Sequence, residues 1–135
     1  MLIAMIEQIS KQTASIVARY LQLLVQRNFT EAERELERVK QGIKPTPWCK
    51  GYYNALEGML VSLRSGDNDY LYINRLVGSD MAKIDELQKR FARSSKDSLQ
   101  EDFDKGYFTA WVEYLQTFKA KRAEAKSLNG YISSS

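Results

Sequence analysis

Lys50-Gly51-Tyr52-Tyr53-Asn54-Ala55-Leu56 recurs as Lys105-Gly106-Tyr107-Phe108-Thr109-Ala110-Trp111, an offset of 55 residues. Lysine, glycine, tyrosine and alanine repeat identically, and most other positions keep their character. The likeness runs forward through Leu60/Leu115, Leu63/Phe118 and Arg64/Lys119. It runs back through Glu31/Glu86, Arg34/Lys89, Leu36/Phe91 and Arg38/Arg93. Any two amphipathic helices share a rhythm, but rhythm does not place a glycine inside each, where glycine costs about 1 kcal/mol relative to alanine. The pattern predicts two related helical hairpins, about 30–65 and 85–120, whose glycines let another backbone come close. In the first copy Gly51, Ala55 and Gly58 form a small-residue stripe suited to tight helix packing. In the second copy Glu113 stands where Gly58 would be.

Outward from the repeat, helical signals continue. Leu2, Ile6, Ile9, Thr13, Ile16, Tyr20 and Leu24 recur in a three-then-four rhythm and predict a long first helix over about 3–27. Asn28 or Thr30 caps a second helix, 31–41, with Thr30 and Glu33 at capping-box spacing. Glu31/Arg34, Glu35/Arg38 and Glu37/Lys40 read as a solvated charged face, opposite Ala32, Leu36 and Val39. Gly42 is expected to supply a left-handed C-cap. Thr46 then Pro47 reads as N-cap and first residue of a third helix to about Arg64. Residues 66–79 are ambiguous, with a short helix preferred over a lone strand. A fourth helix follows over about 81–95. Ser98 with Glu101 forms a second capping box for a last helix ending near Lys126. The expected fold is an all-α bundle of five or six helices. Residues 1–126 make one domain and 127–135 a flexible polar tail.

Phe29, Ala32, Leu36 and Val39 fall at the spacing of the aromatic, Ala, Phe and Ala positions of tetratricopeptide hairpins, with Pro45 one residue beyond that family's proline. Residues 29–44 therefore resemble the second half of such a hairpin. The preceding helix departs from the pattern, with Arg19 and Tyr20 where Leu and Gly would stand. The resemblance implies a role in binding peptides or partner proteins and carries no functional residue across.

Composition narrows the chemistry. The chain has 135 residues, 44% of them hydrophobic and 27% charged, which is the make-up of an ordinary folded domain. It has no histidine, which removes Ser-His-Asp and Cys-His triads, histidine metal sites and the commonest general base. A single cysteine, Cys49, permits neither an intramolecular disulfide nor a thiolate zinc site, and reads as a packed thiol beside Trp48. Asp67-Asn68-Asp69 lacks calcium-loop spacing. Glu101, Asp102 and Asp104 in a first helical turn complement the helix dipole. No phosphate-binding glycine loop is present. The reading is therefore non-enzymatic, with no catalytic residue, no cofactor and no metal.

Partner expectations come from surplus surface and charge. Phe103, Tyr107, Trp111, Tyr114 and Phe118 form one stripe, and Trp48, Tyr52, Leu56, Met59 and Leu63 another; both read as core. Leu2, Ile6, Ile9 and Ile16 are the expected face of a homodimer. Glu7 and Lys11 interrupt the apolar start, which argues for an amphipathic helix over a signal peptide, and no stretch suits a membrane span; a cytoplasmic location is expected. The net charge is +3, and the whole excess lies in Lys119, Lys121, Arg122 and Lys126 against Glu124. The expected function is a protein-interaction or assembly module with a protein partner. RNA or DNA binding through those four cations is the alternative.

Overall fold

Five helices make up the described part of the chain: α1 (Lys11–Val25), α2 (Phe29–Gly42), α3 (Pro47–Ser65), α4 (Met81–Lys96) and α5 (Asp102–Ser133). The computed structural model describes residues 8–65, 81–96 and 101–133, and no strand occurs among them. The ambiguous stretch 66–79 and the cap residue Ser98 lie outside the described residues, as do Leu2 and Ile6.

The helix starts follow side-chain chemistry more closely than apolar rhythm. α1 begins at Lys11, after a break at Ile9 and Ser10, because extended Ser10 acts as its N-cap and its hydroxyl accepts from Thr13 N–H at 3.1 Å; the expected start near residue 3 lies outside the described residues. α2 begins two residues earlier than expected, at Phe29, with Asn28 and not Thr30 preceding it. Thr46 caps α3 as its sequence predicts, its Oγ1 accepting from Cys49 N–H at 3.2 Å ahead of Pro47. Asp102 and Asp104 occupy the first turn of α5, where the dipole favours them. α5 then continues to Ser133, past the expected end at Lys126.

The left-handed residue is not where the glycine suggested. Gly42 is the last residue of α2 and is followed by extended Ile43. The positive φ, 62°, belongs to Arg27 at the end of α1. Arg27 N–H bonds to Leu24 O at 3.0 Å and Asn28 N–H to Leu23 O at 2.9 Å, the bond pair of a Schellman turn. Arg27 holds this conformation with help from outside the turn: its guanidinium lies 5.3 Å from the Phe29 ring centroid and reaches Leu63 O. Gly42 serves packing instead. A Cβ there would lie 2.6 Å from Thr13 Oγ1.

The broadest helix contact joins α3 to α5, followed by α4 to α5 and α1 to α2. Tyr20, Leu24, Tyr52, Leu56, Met59, Ile84 and Leu115 are the largest fully enclosed side chains and mark the centre. The two expected core stripes behave alike at their middles: Trp111 and Tyr114 are buried, as are Trp48, Tyr52, Leu56, Met59 and Leu63. Phe103, at the α5 start, is exposed. Two of the buried tyrosines, Tyr20 and Tyr52, have hydrogen-bonded hydroxyls. Tyr20 Oη donates to Leu56 O at 2.6 Å, a bond that ties α1 to α3. Glu35 departs from the solvated-face reading of α2. It is buried, with Arg19 of α1 at 3.4 Å and Arg38 at 3.1 Å.

Candidate functional site in the groove between the first and last helices

α1 and α5 lie side by side without closing fully. Ala14, Val17, Ala18 and Leu21 of α1 face Val112, Glu113, Gln116 and Thr117 of α5 across an open groove of about 350 Å³, with Gln88 of α4 at its edge. The α1 residues recur at i, i+3, i+4 and i+7, so they form one continuous stripe. The groove stays open because two of the four are alanines, too short to reach across. A second opening of about 460 Å³ shares Gln116 and Thr117 with it and lies between Gln22, Val25 and Gln26 and the Ala120, Lys121 and Glu124 segment of α5. From Ala14 to Gln26 the combined groove is roughly 18 Å long at 1.5 Å per helical residue.

Among the described residues, one ionisable side chain stands in the first opening. Glu113 shares a helix face with Gly106 and Ala110, which turns it toward α3, where Tyr52 Oη donates to its Oε1 at 2.5 Å. Tyr52 is wholly buried and stacks on Trp48 with ring centroids 4.9 Å apart, so the donor is fixed from behind. Burial pushes the Glu113 carboxyl up to about 7, and the Tyr52 bond offsets this only in part. The same burial, together with the neighbouring Glu113 charge, holds the Tyr52 hydroxyl well above its usual range. Among the described residues no lysine or arginine pairs with Glu113. The α1 wall opposite is uncharged, and the Gln88 amide is occupied by Gln116 at 2.9 Å and Lys119 at 2.7 Å.

The residues singled out from sequence are dispersed. Ile9 is buried in the chain's own core and Ile16 packs against that core, so neither is a free apolar contact. Lys119 is drawn onto α4, where it pairs with Asp85 and donates to Gln88. Lys121 is exposed at the second opening. Arg122 and Lys126 lie on the same helix, but their side chains are outside the described residues. Cys49 is fully buried and its Sγ lies 3.4 Å from Gln8 O, in keeping with a packed thiol. Sequence reasoning missed the groove and Glu113 as a site. The available signal was the glutamate on a small-residue face, 55 residues beyond Gly58.

In comparison with known proteins, no family model matches the chain, and no curated protein or solved structure shows significant similarity to it. The described residues form an all-α bundle of five helices. No described helix is long and apolar enough to cross a membrane.

Proposed function

We propose that this protein is a non-enzymatic interaction module that receives one amphipathic helix of a partner protein in the α1–α5 groove. The observation that carries this is the pair of openings between Ala14 and Gln26, which share Gln116 and Thr117 and extend along three turns of α1. A partner helix would seat an apolar i, i+3, i+4, i+7 face against Ala14, Ala18 and Val25, over the buried Val17, Leu21 and Val112, flanked by the glutamine amides. The tetratricopeptide-like spacing of residues 29–44 points the same way. The dimer face expected from Leu2, Ile6, Ile9 and Ile16 is a weaker basis, since Ile9 is spent inside the monomer core. The nucleic-acid alternative loses support likewise, because Lys119 is committed to Asp85 and Gln88.

We further read the offset-55 recurrence as two copies of one hairpin. Arg64 of α3 meets Glu33 of α2 at 3.0 Å, and the matched pair, Lys119 and Gln88, meet at 2.7 Å. Such an arrangement gives two fused hairpins with α1 added as an outer helix, and the added helix is what forms the groove.

Panning a library of 18-residue amphipathic helical peptides against the wild-type chain and the Ala18→Arg variant tests the proposal. Ala18 is exposed, so arginine there fills the groove without disturbing the core. Peptides are expected that bind the wild type and lose binding on Ala18→Arg. Failure to select any peptide, or equal binding to both chains, overturns the reading.

A further inference from the structure

We propose that Glu113 is the recognition residue of the groove, taking a lysine or arginine side chain carried on the apolar face of the partner helix. This rests on the groove reading above and adds the chemistry of the partner.

The fold requires an acceptor for the buried Tyr52 hydroxyl at this position, but not a charged one. The matched position in the first copy is Gly58, where an added Cβ would meet nothing within 4 Å. Around Gly51 and Gly106 the two halves agree closely, and at 58 and 113 they part. One half leaves empty space; the other places an acid in a groove. A carboxylate withdrawn from water without a counter-charge is costly, and Glu113 has only the neutral Tyr52 hydroxyl. An incoming ammonium or guanidinium would supply the missing charge, and the surrounding apolar walls would strengthen the attraction.

The charged groups around the site leave this role open. From α3 the facing groups are Tyr52 and, behind it, Cys49. Among the described residues the α1 wall carries none, and α4 contributes the Gln88 amide, to which Lys119 donates while pairing with Asp85. Lys121 and Glu124 belong to the second opening, two turns further along α5. A cation on the partner therefore meets no competing cation at Glu113 itself. Because the free carboxyl is half protonated near neutral pH, docking of a cation drives off the remaining proton.

Peptides selected from the helical library on the wild type are expected to carry one Lys or Arg within their apolar stripe. Peptides selected on Glu113→Gln, which keeps an acceptor for Tyr52, are expected to carry none. Replacing that basic residue by norleucine in a selected peptide should weaken wild-type binding at least ten-fold and leave Glu113→Gln binding unchanged. Calorimetry at pH 7 in two buffers of different ionisation enthalpy should show proton release with the wild type and none with the variant. If selected peptides occupy the groove but lack a basic residue in the stripe, or lose equally on both chains, this inference is wrong while the groove reading stands. If no peptide depends on an open groove at Ala18, the groove reading fails first and takes the inference with it.

Discussion

Gly51 and Gly106 occupy one crossing of α3 and α5, each pressed against the carbonyl one turn before the other. A Cβ on Gly51 would collide with Phe103 O, and one on Gly106 with Trp48 O. Positions 48 and 103 are related by the same offset of 55 as the two glycines. The contact is therefore reciprocal, residue i to j and the counterpart of j to the counterpart of i, which is the signature of a two-fold arrangement. Only a backbone without side chains at both points lets the helices come this close.

That crossing sets the first prediction. Gly51→Ala and Gly106→Ala each force two backbones apart, and each is expected to cost on the order of 3 kcal/mol, the upper end of overpacking penalties. Gly58→Ala adds a methyl to open space and is expected to stabilise by about 0.5–1 kcal/mol through helix propensity. Urea unfolding of the three variants checks this. Equal, small effects at all three positions would mean the crossing is not tight.

Tyr20→Phe removes the donor that reaches Leu56 O from the fully buried side of α1. The expected loss is about 1 kcal/mol, typical of one buried hydrogen bond whose acceptor keeps its helical partner. Tyr20→Ala should cost several-fold more, because it also empties core volume. Thermal melts of both variants at one pH separate the two contributions.

Glu113 gives stability a pH dependence of definite sign. Its carboxyl titrates at about 7 in the fold against an ordinary 4.5, so between those values the folded state holds a proton the unfolded chain lacks. The contribution is fully present below the unfolded value, declines as pH rises through that window, and is flat above it. Over the 2.5 units from 4.5 to 7, at about 1.4 kcal/mol per unit, the decline is at most about 3.5 kcal/mol. Glu113→Gln should flatten the profile between pH 4.5 and 7 and melt above the wild type at pH 8. A variant with the wild-type slope would show that another group is responsible.

Ser10→Ala tests why α1 starts where it does. Loss of the hydroxyl that accepts Thr13 N–H is expected to cost about 1 kcal/mol, as for other N-caps. Ser10→Gly should cost only a few tenths. If alanine is tolerated as well as glycine, the cap is not what fixes the boundary.

Much of the architecture was legible in the sequence, and for identifiable reasons. Apolar rhythm marks which residues of a helix go inside, so Tyr52, Leu56, Met59, Trp111 and Tyr114 were readable as core. Thr46-Pro47 is a local cap whose geometry needs no distant partner, and it lies where expected. The recurrence around Gly51 and Gly106 signalled close helix packing, since glycine in a helix is unfavourable unless something replaces the missing side chain. The rest required tertiary structure because it depends on which helix lies beside which. Arg27 is left-handed because Phe29 and Leu63 hold it, while Gly42 is kept small by Thr13 of another helix. Lys119 reads as a free cation in sequence and is bound to Asp85 in space. Glu113 reads as an interruption of a small-residue stripe. Only the placement of α1 along α5, with alanines at the contact, makes it the acid of a groove, because local spacing fixes a residue's face and never the neighbour that face will meet.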